Sequence, residues 1–177
     1  MNRNQLAHLL RAASRVVEDA NVLVIGSQSI LGTYEEDDLP VEATTSIEAD
    51  IAFLDDPARS KADRVEGAIG EFSGFHAMNG IYAERIHIET AVLPAGWRHR
   101  LVQWDLQSSH PATPHFLDPH DLAISKLIAA REKDVAFVNA LIRAHLLEVP
   151  VLVERARLVD DAEALRRERV LAHLSSY

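Results

Sequence analysis

The apolar positions of the chain follow two periods. Leu6, Leu9, Leu10, Ala13, Val16 and Val17 recur at helical spacing with Arg11, Arg15 and Glu18 left for solvent, which predicts a first amphipathic helix capped by Asn4. Asp19-Ala20-Asn21 turns the chain into Val22-Leu23-Val24-Ile25, an apolar run without alternation, expected as a strand covered on both faces. That run breaks at Gly26-Ser27. One or two helical turns are expected over 28–32, followed by the acidic loop Glu35-Glu36-Asp37-Asp38-Leu39-Pro40. The next pattern has period two: Ile47, Ala49, Ile51 and Phe53 point to one side of a strand, Glu48 and Asp50 to the other.

Asp55-Asp56-Pro57 reads as a turn and 60–69 as a helix with Ala62, Val65, Ala68 and Ile69 inward. The stretch 70–80 mixes glycine with Phe72 and Phe75 and reads as a loop, its aromatics either plugging the core or stacking on a ligand. From Ile81 a hairpin is expected, with Ile86 and Ile88 on one face and Arg85, His87 and Glu89 on the other. Residues 103–107 suit an edge strand. The clearest helix starts at Asp118-Pro119, an N-cap followed by proline in the first turn. Along it Leu122, Lys126, Ala129 and Lys133 form one stripe, so Lys126 either reaches ligand phosphates or snorkels to solvent. A further helix over 135–147 carries Phe137, Val138, Leu141, Ile142 and Leu146 as bundle core. Residues 149–174 read as a charged helical cover or an oligomer contact.

Composition narrows the function classes. A chain of 177 residues without cysteine suits one domain with a helical appendage, and it excludes disulfides, thiolate metal sites and cysteine nucleophiles. No apolar run reaches membrane-spanning length and residues 1–5 lack a signal-peptide core, so a soluble cytoplasmic protein is expected. The net charge of −9 argues against a broad nucleic-acid surface and leaves room only for a local basic one, for which Arg98, Arg100 and Arg131 are the clustered candidates. His110, His115 and His120 fit no zinc spacing.

Candidate chemistry centres on the strand acids. Two carboxylates side by side repel unless a cation lies between them, and Mg²⁺ is held by few carboxylates together with substrate phosphate oxygens. Gly26-Ser27 at the end of the preceding strand admits a phosphate closely, although such a pair is also an ordinary turn, as an acid pair is also an ordinary solvated strand edge. With Glu89 from a neighbouring strand as third acid, the set Glu48, Asp50 and Glu89 suits two metal ions and in-line phosphoryl transfer.

Gly26-Ser27, Glu48-x-Asp50, Leu93-Pro94-Ala95-Gly96-Trp97 and above all residues 117–127, Leu-Asp-Pro-His-Asp-Leu-Ala-Ile-Ser-Lys-Leu, followed by Arg131-Glu132-Lys133-Asp134, resemble the DUF6036-type bacterial nucleotidyltransferases. These are relatives of the AbiEii and MenT nucleotidyltransferase toxins of type IV toxin–antitoxin systems. The resemblance implies an α+β fold: a polymerase-β-like nucleotidyltransferase core, with a short mixed sheet flanked by helices, over 1–115 and a helical C-terminal segment over 116–177. It also implies transfer of NMP from an NTP to an RNA or protein hydroxyl by two Mg²⁺ ions, with Mn²⁺ as substitute and an antitoxin among the partners. Glu48, Asp50 and Glu89 would hold metal; Gly26, Ser27 and Lys126 would hold nucleotide phosphates. Glu48 stands where the superfamily's first acid is usually Asp, and the interval from Ser27 to Glu48 is longer than its common pattern. The alternative is therefore a catalytically degenerate nucleotide-binding or protein-interaction module of the same fold.

Overall fold

A computed structural model describes residues 1–177. The chain begins with α1 (Arg3–Val17), capped by Asn2 rather than Asn4: the Asn2 side chain accepts from the Gln5 amide at 2.8 Å, and Gln5 Oε1 accepts from the Asn2 amide at 2.9 Å. This reciprocal box satisfies two amides that have no partner within the helix, a gain that Asn4 could not offer from inside the first turn. β1 (Val22–Val24) is fully buried, as its unbroken apolar run requires. A 3₁₀ turn (Ser27–Gly32) and the short α2 (Val41–Thr44) lead to β2 (Glu48–Phe53), and α3 (Ser60–Ile69) follows. Ile47 lies outside β2 and is exposed, so the buried stripe of β2 begins at Ala49.

The stretch expected as loop contains α4 (Gly74–Asn79), whose Ser73 hydroxyl caps the His76 amide at 3.1 Å and whose end is closed by Gly80 in the left-handed region. Its brevity left no periodicity to read. Phe72 is exposed, and only Phe75 finds cover, stacked on His8. No hairpin forms after Ile81. β3 (Tyr82–Arg85) runs parallel to β2 as an edge strand, with Asp50 opposite Glu84, and the chain then leaves the sheet. β4 is Val102–Gln103 and β5 is His115–Phe116. Trp104, expected within the edge strand, instead donates from Nε1 to the Gly32 carbonyl at 3.0 Å and packs on Phe116.

The five strands form one mixed sheet in the order β3-β2-β1-β5-β4, with β1 antiparallel to β2 and parallel to β5. Because β5 pairs with both β1 and β4, the expected division between residues 115 and 116 falls inside a strand of the sheet. Helices α5 (Pro119–Ala129), α6 (Glu132–Arg143), α7 (Val149–Arg157) and α8 (Ala164–Leu174) complete an α+β architecture compatible with a polymerase-β-like core. α1 and α3 pack together against the sheet, whereas α5 approaches it through the Ser27–Gly32 turn. One contiguous apolar core joins the sheet to the C-terminal helices. No helix is long and apolar enough to cross a membrane.

Candidate functional site

The site grows out of the β1–β2 pairing. Beyond β1 the Ile25 amide still donates to the Asp50 carbonyl at 3.1 Å, which sets Gly26 directly against the Asp50 side chain. A Cβ on residue 26 would lie 1.5 Å from Asp50 Oδ2. The Gly26 backbone has an ordinary φ of −77°, so glycine is required for space and not for conformation.

Alternation along β2 puts Glu48 and Asp50 on one face, and the parallel register with β3 adds Tyr82 and Glu84 to it. Tyr82 donates its hydroxyl to Glu48 Oε2 at 3.0 Å. Burial, then the Glu48 charge, raise the Asp50 carboxyl above its ordinary value despite Lys126, Arg131 and Lys133 nearby. Glu84 is raised by burial and by the Glu48 and Asp50 charges. The Tyr82 phenol is pushed up to about 12, first by burial and then by its hydrogen bond to Glu48. This face is an acid wall lacking a cation of its own.

The opposite wall is cationic. The Asp118 carboxylate caps α5 by accepting from the His120 and Asp121 amides, and the helix carries Lys126 to the Gly26-Ser27 turn. Lys126 is only 8% exposed, and its ammonium donates to Ser27 Oγ at 3.1 Å and to Asp134 Oδ1 at 2.9 Å. Asp134 is fully buried at the start of α6 and also accepts from Arg131. Burial opposes its ionisation, but the hydrogen bonds from Arg131 and Lys126 prevail and hold its carboxyl below the ordinary range. Between the walls lies a cavity of about 480 Å³, enough for a nucleotide, lined by Gly26, Ser27, Glu48, Asp50, Glu84 and Lys126 among others.

Five of the six candidate residues therefore meet in one cleft: Gly26, Ser27, Glu48, Asp50 and Lys126. Glu89 does not join them. It sits in the exposed Ile88–Thr90 turn, 3.9 Å from Arg59, beside a separate cavity. The expectation for the strand went wrong by one residue. Arg85 reaches Asp63 and Glu66 of α3, so the residues of its parity face the helix and those of Glu84's parity face the acids. Tyr82, Glu84 and Ile86 carried that alternation in the sequence. The partnership of Asp134 with Lys126 had no local signal.

The basic candidates are also spoken for. Arg100 makes two hydrogen bonds to the buried Asp121, which Arg155 approaches at 3.4 Å, and Arg98 lies over the Trp97 ring. His110, His115 and His120 do not converge, and no three His, Asp or Glu side chains are grouped as a ready metal cage.

Residues 4–172 match the family described as nucleotidyltransferase of unknown function (DUF6036). The chain belongs to this family. The match extends past the cleft on both sides, taking in α1 and most of α8, so the C-terminal helices of this DUF6036 family member are part of the family's shared unit. No curated protein and no solved structure matches the chain.

Proposed function

We propose that this protein transfers a nucleoside monophosphate from an NTP to an acceptor hydroxyl, with Glu48, Asp50 and Glu84 as the acid wall and Gly26, Ser27 and Lys126 as the phosphate side. The observation that carries this reading is the Gly26–Asp50 contact: a glycine kept bare against a half-buried carboxylate in a nucleotide-sized cleft. The donor set suits Mg²⁺, because Asp50 and Glu84, raised by burial and then by the neighbouring acid charges, favour a cation, and a hard ion held by few carboxylates completes its shell with substrate oxygens. Bound there, Mg²⁺ would neutralise charge on the reacting phosphate and the departing pyrophosphate.

The chain's own residues do the rest. Lys126, fixed by Ser27 and Asp134, meets the triphosphate, and bare Gly26 lets it settle close to Asp50. Tyr82 holds the Glu48 carboxylate in place. In the transfer, the acceptor oxygen bonds to the α-phosphorus, the bond from that phosphorus to the β-bridging oxygen breaks, pyrophosphate leaves, and the acceptor proton passes to solvent. The resemblance to toxin nucleotidyltransferases supports a toxin role with an antitoxin partner, readable as growth arrest on induced expression.

Radiolabelled NTP, Mg²⁺ and total cellular RNA or protein as acceptor test the proposal: wild type labels an acceptor and Asp50→Asn does not. Equal labelling by both proteins sinks the assignment. A second reading, nucleotide binding without turnover, is favoured by the Tyr82 hydroxyl already occupying Glu48, which is also a residue longer by one methylene than the superfamily's usual Asp. Mg²⁺-dependent NTP binding without pyrophosphate release would select it.

A further inference from the structure

The cleft does not end at its cationic wall. A smaller annex of about 210 Å³ adjoins it, and Ile128, Ala129 and Arg166 border both spaces. Its floor is the last turn of α5 with Ala130, and Arg166 and Arg169 of α8 rise above it. These two arginines stand three residues apart on one helix and so share a face, roughly 5–6 Å from each other at Cβ. Both are exposed. Arg166 has one long pairing, to Glu163 at 3.4 Å, whereas the neighbouring Arg167 is tied to Val159 and Asp161. Arg169 has neither an ion pair nor a hydrogen bond to the α5 carbonyls beneath it, so the pair does not serve to cap that helix. With Lys133 at the cleft mouth, they make a local basic rim on a chain of net charge −9.

We propose that this annex is the entry track for a single-stranded RNA acceptor, with Arg166 and Arg169 holding phosphates of the strand whose terminal hydroxyl enters the cleft. The proposal rests on the nucleotidyl-transfer reading above and names the acceptor class for the same site. Guanidinium groups bind phosphate through paired hydrogen bonds, and a nucleic-acid backbone presents such anions at regular spacing whatever its sequence. A polypeptide acceptor is the poorer match. The annex lies between α5 and α8, so it offers no strand edge for a peptide to pair with.

The test is fluorescence anisotropy with a labelled single-stranded RNA 12-mer, using the full chain, wild type and Arg169→Glu, from about 50 to 200 mM salt. Arg169→Glu is expected to weaken RNA binding about tenfold at low salt and to lower the salt slope by about 1. Arg169→Gln should fall between the two. Arg15→Glu on α1 makes the same change in net charge away from the annex and should stay within about twofold of wild type. Equal RNA affinity for wild type and Arg169→Glu overturns the proposal, as does Arg169-dependent binding of an acidic peptide with none of RNA. Calorimetry with Mg²⁺ and NTP separates the two levels: Arg169→Glu should bind NTP as wild type does, and absence of NTP binding by both would strike the nucleotidyl-transfer reading instead.

Discussion

At the scale of single residues, two carboxylates with opposite displacements show how the cleft is held ready. Asp50 has its carboxyl raised in the folded state, so its contribution to stability is complete below the ordinary Asp value and is lost as pH rises through the raised one. Above the raised value, the ionised Asp50 therefore destabilises the metal-free protein. Asp50→Asn is expected to melt higher than wild type in EDTA, by roughly 2–4 °C for a gain of about 1 kcal/mol, while losing acceptor labelling. A lower melting temperature would contradict the repulsion inferred for the acid wall. Asp134 is displaced the other way, below its ordinary range, so its contribution is present above the unfolded Asp value of about 3.9 and is lost as pH falls through the folded one. Asp134→Ala strands the buried Lys126 ammonium and should cost about 3–5 kcal/mol. Urea melts as a function of pH check this: the loss should be full at pH 7 and shrink towards pH 2.

At the scale of elements, the motif in residues 117–134 resolves into separate physical tasks. Asp118 caps α5, Pro119 occupies its first turn, buried Asp121 fastens Arg100, Leu122 and Ile124 enter the core, and Lys126 faces the turn after β1. The capping, the proline and the apolar stripe were legible because each acts within one turn of helix. The buried pairing of Lys126 with Asp134 was not, since it needs the α5–α6 corner to fold Asp134 back onto the lysine. That corner turns at Ala130, which ends α5 in the left-handed region at φ 55°. Ala130→Gly removes the Cβ cost there and should stabilise the protein by about 1 kcal/mol, seen as a rise in the urea midpoint with unchanged slope. The misread strand makes the same point in reverse. Arg85, His87 and Glu89 alternate as well as Tyr82, Glu84 and Ile86 do, and only the ion pairs from Arg85 to α3 show which set turns away from the acids.

At the scale of the whole molecule, the cleft has an acid wall on the sheet and a cationic wall on the helices, and a nucleotide with Mg²⁺ would join them. Binding to the folded state alone raises stability by about 2.7 kcal/mol at a hundredfold excess over Kd. For a chain of this size that corresponds to a rise of roughly 5–10 °C in Tm for wild type with Mg²⁺ and NTP together. Differential scanning fluorimetry should show the rise only when both are present, and Asp50→Asn should not show it. Failure of wild type to respond would count against nucleotide binding itself.

The sequence by itself determined the buried run of β1, the faces of Glu48 and Asp50, the glycine at 26 and the start of α5, whereas the α+β class was implied by family resemblance. Each of these local features follows from a local period, a cap or a residue type whose chemistry acts over a few positions. Tertiary structure alone decided that Glu84 and not Glu89 joins the acids, that Asp134 and Ser27 share Lys126, that Arg100 serves Asp121, and that α8 brings Arg166 to the cleft. The physical reason is distance along the chain. Strand register and buried ion pairs join residues whose partners lie far away in sequence, where no local period records the meeting.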